Sequence, residues 1–470
     1  MTTVAVELND AGVVAAGAGL HWEDNSPGFA LLDGSRILVG RQAVSRARLK
    51  PRWVANRFWD RLDTEPLGRP FPRDLRNADL VYAHLTEVWK EVQAGMDSQS
   101  NRGIEAVVLT VPGMYSKRQL GLLLGIGRAC GIPIAGMADA AVVATMAATD
   151  AERALHLELL LQRAVLTELG QAGTLARQRV ESEASTGLSK LMDLWAKLIA
   201  SRFVHQTRFD PFHHGETEQD LYDQLPRWIE EVGRDGGALL SLEYRGKVHS
   251  VEISSNEIQS AVRASYQAIV DLVRAVAGAG SRPALVLTQT LSMLPGLQSE
   301  LEEAVGSDAV VLSPGAAATG ALRQQHQLVR AGDCEVDFVA ELPLEQAVGR
   351  PVATPDSRSK EPGAVTETEK KSPTHILYEG VAHPIESDPL WLGVAIPSGA
   401  RGVNLTAQTA GVSRRHCSLW RQGDEAFVED HSTYGSYLND SRVEGRATLS
   451  AGDRLRLGTP GIELHLIAVE

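Results

Sequence analysis

Apolar residues in this chain fall into short runs and helical stripes that alternate for some 330 residues, and the rhythm then changes. The first forty residues hold four short runs, Val4–Leu8, Val13–Ala16, Phe29–Leu32 and Ile37–Val39, with turns at Asn9–Gly12 and Asp33-Gly34. Runs of that length between Asn, Asp and Gly predict strands joined as antiparallel hairpins. Leu80, His84, Leu85, Val88 and Trp89 then recur at helical spacing, which predicts a helix over Leu80–Val92. Ala106–Val111 is apolar throughout and reads as a strand buried on both faces. A helix over Ser116–Ala129 follows, stopped at Gly131-Ile132-Pro133, then an Ala-rich helical segment over Asp139–Ala148.

The same order recurs downstream. Leu155–Leu161 and Ala164–Leu169 predict a strand pair, and Leu188, Leu191, Leu194, Trp195, Leu198, Ile199 and Phe203 share one helical face. A helix over Glu218–Val232 and strands near Ala238–Tyr244 and Lys247–Ile253 precede a long helix carrying Ile258, Val262, Tyr266, Ile269, Val273 and Val276. Ser255 or Asn256 is the expected N-cap of that helix. Ala284–Thr288, Val310–Leu312 and Ala316–Leu328 predict strand, strand and helix. Hairpins followed by strand–helix units, twice over, predict a two-lobed α/β domain at 1–330.

Residues 331–373 are polar and charged, with Pro in Thr354–Gly363 and Thr366–Pro373, and predict a flexible linker. Its Thr354, Thr366 and Thr368, with the adjoining Thr374, are either plain tether or phosphorylation sites for the segment that follows. From 374 to 470, short strands about ten residues apart predict an all-β sandwich.

Composition changes the picture little. A net charge of −13 disfavours general nucleic-acid binding. One local exception, Arg41–Arg76, has ten Lys or Arg against four Asp or Glu, with Trp53, Phe58, Trp59 and Phe71 interleaved. It reads either as a contact surface for an acidic partner or nucleic acid, or as solvated arginines over core aromatics. No apolar run is long enough to span a membrane, and the sequence opens on a strand rather than a basic-then-apolar leader. Cys130, Cys334 and Cys417 lie far apart without metal spacing, so a reducing, cytoplasmic location is expected. No P-loop motif occurs, and His205, His213 and His214 lack the spacing of a metal site. Gly125-Ile126-Gly127 with Gly131 falls inside a predicted helix, not after a strand. Adjacent Asp430-His431-Ser432 cannot form a catalytic relay.

Ser413-Arg-Arg-His416, Ser432-Thr-Tyr-Gly-Ser436, Asn439 and the Gly452-Asp453 turn resemble a forkhead-associated (FHA) domain, a sandwich that binds phosphothreonine peptides. The resemblance implies phosphopeptide contacts from Ser413, Arg414, Ser432, Thr433 and Tyr434, with His416, Gly435 and Asn439 as structural positions. Two departures matter. The family's phosphate-gripping Arg falls on Val394, and its usual Asn before the second-loop Gly falls on Tyr434. Arg401 and Arg414 are the candidates to replace the missing charge. Each lost charge-assisted bond removes about 1.5–3 kcal/mol, so phosphate-dependent and phosphate-independent recognition both stay open.

Val108–Pro112, Ala129–Pro133, Asp139-Ala-Ala141, Ser313–Gly320 and Leu38-Val-Gly40 with Ala43 resemble the nucleotide-binding domain of the Hsp70/actin superfamily. That resemblance implies an ATP cleft walled by Gly-rich turns, each with an Asp. Here the first turn reads Glu7-Leu-Asn9-Asp10-Ala, the second falls at His156-Leu-Glu158-Leu-Leu, and the third reads Leu287-Thr288-Gln289-Thr290, near Gly315. Side chains stand where backbone amides should cradle phosphate. The expectation is therefore a pseudo-ATPase with no cofactor, no metal and no catalytic residue: a cytoplasmic scaffold whose sandwich recognises a protein partner. The alternative is an atypical Hsp70-like ATPase, binding ATP and Mg²⁺, coupled to the FHA module.

Overall fold

The computed structural model describes residues 2–17, 26–97, 103–278, 282–329, 336–344, 372–378, 381–396, 401–405, 412–423, 425–432, 435–439, 441–443, 445–458 and 462–468. The chain divides into two units, Met1–Arg350 and Pro351–Glu470. The first is mixed α/β and the second all β. No helix among the described residues is long and apolar enough to cross a membrane.

Two sheets of the first unit follow one plan. In the first, Thr3–Glu7 pairs antiparallel with Val14–Gly17 and parallel with Ala106–Val111, which pairs parallel with Ile134–Asp139. In the second, Arg153–Leu159 pairs antiparallel with Ala164–Gln171 and parallel with Ala284–Leu287, which pairs parallel with Ala309–Val311. All six residues of Ala106–Val111 are buried, because helices cover both faces of such a strand. The Lys117–Ala129 crossover starts at a capping box in which the Ser116 side chain accepts from Gln119 N and Gln119 Oε1 accepts from Ser116 N.

Two short Ala-rich helices, Ala140–Thr145 and Ala316–Arg323, pack in one core with strands of both sheets. Ala141, Ala317, Ala318 and Ala321 are small enough to let their backbones come close, and Gly320 lies against the carbonyl of Val143. A larger core surrounds the helices Leu188–Thr207, Gly215–Asp235 and Ser255–Ala277. Leu191, Trp195, Ile199 and Phe203 are buried at one-turn spacing, and the indole of Trp195 donates to the Ile258 carbonyl.

Several expectations change. The N-cap of the long helix is Ser254, one residue early, because Glu257 reaches back to its amide and hydroxyl. The helix expected over Ala316–Leu328 is two, Ala316–Arg323 and Gln325–Leu328, broken at Gln324. Thr174–Glu183 is an unexpected ten-residue strand beside Ala164–Gln171. Part of the stretch assigned to the linker over 331–373 belongs to the first unit. Phe338–Val339 extends the first sheet beside Ile134–Asp139, and Glu341–Pro343 extends the second beside Thr174–Glu183, with Leu342 buried in the core. Phe338 also lies under the Arg177 guanidinium. Thr354, Thr366 and Thr368 lie outside the described residues.

The Arg41–Arg76 stretch mixes its two readings. Phe58 and Trp59 are core, while Trp53 is 39 % exposed and meets Phe71 edge-on. Arg46 and Lys50 of this stretch both pair with Asp33.

In the second unit, one sheet runs Val381–Pro384, His375–Tyr378, Ile462–Ile467, Arg454–Leu457, Ser436–Leu438, Ser441–Arg442. The other runs Gly402–Asn404, Leu390–Gly393, Cys417–Gln422, Glu425–Asp430, Arg446–Leu449. Alternate residues such as Leu392, Leu419, Val428, Leu455 and Leu464 point inward and form a single core.

Candidate binding sites: an acidic cleft and the loop end of the sandwich

The strands that open the two sheets of matching plan in the first unit carry an acid at or next to their last residue, Glu7 in Thr3–Glu7 and Glu158 in Arg153–Leu159. Both line a cleft of roughly 250 Å³ at the carboxyl ends of the strands, where ligands of open α/β sheets collect. Asn9, Thr288, Gln289 and Gly315 line it too. Of the seven residues assigned to this cleft from sequence, only Asp10 is absent from its lining. It is buried beneath, where Oδ1 accepts from Leu161 N at 2.7 Å.

Each acid has a distinct environment. Glu7 Oε2 accepts from the amides of Ala317 and Ala318 at 3.0 and 3.3 Å, yet burial dominates and raises its pKa. Asp139 caps Ala140–Thr145 and pairs with Arg177 at 2.8 Å, though burial still pushes it upward. Glu158 is 4 % exposed, and its Oε1 has no hydrogen-bond partner among the described residues. Burial, then the charges of Asp139, Glu7 and Asp10, pushes it well above the carboxylate range. Thr288 Oγ1 is likewise buried and unpartnered. His156, bonded to Thr145 Oγ1, is held neutral by burial, its pKa pushed down to about 4. The described lining residues include no Lys or Arg. Gly125 and Gly127 are helical, as the sequence implied, and among the described residues no group of three or more His, Cys, Asp or Glu is placed to hold a metal ion.

Asp10 supplies a pH test. Burial pushes its pKa from 3.8 up to about 7 against the opposing bond from Leu161. An acid raised on folding contributes fully below the unfolded pKa and loses that contribution as pH rises through the folded one. Asp10→Asn keeps an acceptor for Leu161 and removes the titration. Its stability relative to the parent should rise by about 1.4 kcal/mol per pH unit across the window between the two values, then level off. Urea titrations at a series of pH values check this, and a stability difference independent of pH would refute it.

At one end of the sandwich, loops are tied together by His416. The ring is fully buried. Its Nδ1 accepts from Ser413 N at 3.0 Å and its Nε2 lies 3.1 Å from the Gly435 carbonyl. Since Ser413 donates and Gly435 accepts, the ring carries its single proton on Nε2. Burial lowers its pKa, which suits that neutral form. Val394 N and Ala395 N donate to the carbonyls of Ser413 and Arg414, so Val394 lies directly beside that turn. Ser432 Oγ accepts from Gly435 N at 2.7 Å. Burial works to raise Asp430, but hydrogen bonds from Ser432 and Ser436 outweigh it and hold the carboxyl below the usual range. Asn439 bridges Asp453 and the Arg454 amide.

The candidate arginines part company. Arg401 is turned to the carbonyls of Pro384 and Asp388 and to Glu386. Arg414 is exposed on the same turn as Ser413. Thr433 and Tyr434 lie outside the described residues. Arg442, which the sequence reading did not single out, places Nε so near Gly435 that a Cβ there would come within 3.1 Å. Its only sequence signal was a position three residues after Asn439.

A family model, "FHA domain", matches residues 399–458. This segment is an FHA domain. The match spans Ser413, His416, Ser432, Gly435, Asn439 and Arg442, so the loops tied by His416 belong to the FHA domain. Among curated proteins, none matches the chain. An FHA domain points to an adaptor or scaffold that recognises phosphorylated protein.

Proposed function

We propose that this protein is a non-catalytic scaffold whose FHA domain captures a phosphothreonine-bearing protein while the mixed α/β unit offers a second docking surface. The carrying observation is the FHA match together with the Ser413–His416–Gly435 tie, which holds two recognition loops at one end of the sandwich. Arg414 and Arg442 supply charge in place of the Arg replaced by Val394. The mixed unit is read as a degenerate Hsp70/actin-like domain. Support comes from its repeated sheet plan and from a cleft that pairs two acids with no basic group among its described lining residues. A phosphate there would meet Glu7 and Glu158 rather than an anion nest. A flexible tether would raise the effective concentration of one partner near the other.

Capture from a phosphothreonine peptide library tests the recognition step. Ser413→Ala should weaken capture about tenfold or more, as loss of a charge-assisted bond implies, and Arg442→Ala should do likewise. Capture of unphosphorylated peptide with equal strength would exclude phosphate reading.

A further inference from the structure

The cleft of the mixed α/β unit has chemistry that the scaffold reading leaves unused. Two buried oxygen atoms in residues lining it, Glu158 Oε1 and Thr288 Oγ1, have no partner among the described residues. Buried polar atoms are rarely left so, and each such atom asks for an explanation. Glu7 shares the lining, pinned through Oε2 by the amides of Ala317 and Ala318. Apolar walls come from Val14, Ala140, Ala144, Leu188, Leu312 and Pro314.

We propose that this cleft binds a small organic cation, an alkylammonium or guanidinium compound, whose charged head sits at Glu158 and Thr288 and whose hydrocarbon part lies on the apolar walls.

Four considerations choose that class. An anion would face two acids with no Lys or Arg among the described lining residues. A bare metal ion needs several converging ligands. The described residues contain no group of three His, Cys, Asp or Glu placed for one, and the Asp10 and Asp139 carboxyls are engaged with Leu161 and Arg177. A cavity of roughly 250 Å³ exceeds what one dehydrated ion fills and suits a molecule of several heavy atoms. An ammonium head has donors and no acceptor, the complement of Glu158 in its ionised form and of the lone pairs of the Thr288 hydroxyl.

Binding should be linked to protons. The titratable groups around Glu158 include Glu7, Asp10, Asp139, the neutral His156 and the buried Tyr115, with Asp60 and Arg163 near Asp10 and Arg177 on Asp139. In the empty cleft, burial and the neighbouring acids favour the protonated form of Glu158. A cation favours the ionised form, so binding releases a proton and strengthens as pH rises.

Calorimetry of the full chain with n-butylammonium, putrescine, agmatine and guanidinium tests the proposal. At least one probe should bind saturably, weaken by up to about tenfold per pH unit on acidification, and release protons to buffer. Glu158→Gln should weaken that probe by about tenfold or more and remove most of its pH dependence, the remainder coming from Glu7 and Asp10. Thr288→Val, a near-isosteric change, should weaken it severalfold and serves if Glu158→Gln alters folding. Absence of saturable binding by all four probes, or binding indifferent to both variants, would overturn the proposal. Mg-ATP bound in the parent and lost in Glu158→Gln would do so too, by giving the cleft to a nucleotide. Phosphopeptide capture is scored separately, so failure here leaves the FHA reading standing.

Discussion

Gly320→Ala should destabilise the mixed α/β unit by at least about 3 kcal/mol, because the clash it creates is with backbone. A Cβ at this position would stand 2.0 Å from the Val143 carbonyl oxygen and 2.7 Å from its carbon. Neither helix can retreat cheaply. Ala316–Arg323 supplies the amides that pin Glu7, and Ala140–Thr145 is anchored by the Asp139 cap and its Arg177 partner. The described helices lie in this unit, so urea unfolding followed by helical circular dichroism reads it without interference from the sandwich. An unchanged midpoint would mean that the helices are not packed as described. The variant should also open the cleft, since Ala316 and Ala317 form part of its wall.

His416→Ala should have the second-largest effect, about 2–4 kcal/mol in the sandwich, together with loss of phosphopeptide capture. The substitution empties a fully buried site, takes the imidazole acceptor from the Ser413 amide and leaves the Gly435 carbonyl with the Gly458 amide as its remaining donor among the described residues. Stability and recognition should fall together because one ring ties both loops. Acid should act in the same direction. A proton added to Nδ1 would point at the Ser413 N–H, and burial already disfavours the charged ring. Thermal melts of the second unit and peptide capture by the same variant check the pair. Normal capture by a destabilised His416→Ala protein would show that the ring does not position the loops.

Much of the fold was legible where burial writes a period into the sequence. The stripe at Leu191, Trp195, Ile199 and Phe203 could only be a helix, and Ala106–Val111 could only be a strand covered on both sides. Thr174–Glu183 escaped because it lies beyond Ala164–Gln171, carries Arg177, Arg179 and Glu181, and has a register shift between Arg177 and Arg179 that spoils alternation. Phe338–Pro343 escaped because strands of two and three residues leave no periodic trace. At the sites, resemblance to family motifs singled out His416 and the acids that line the cleft. It could not show that Glu158 and Thr288 lack partners, since that depends on what surrounds them in space. Nor could it separate Arg401 from Arg442: composition treats both as surface cations, and only packing reveals which one adjoins the Gly435 loop.

The short run from Phe338 to Pro343 has a practical corollary. It lines the outer rim of both sheets, and an uncovered rim is a row of unsatisfied amides and carbonyls that invites other chains to add themselves. A fragment cut at residue 330 would expose two such rims and should self-associate, whereas one carried through residue 344 retains its own selvedge. The mixed α/β unit is thus finished by a seam that lies beyond residue 330.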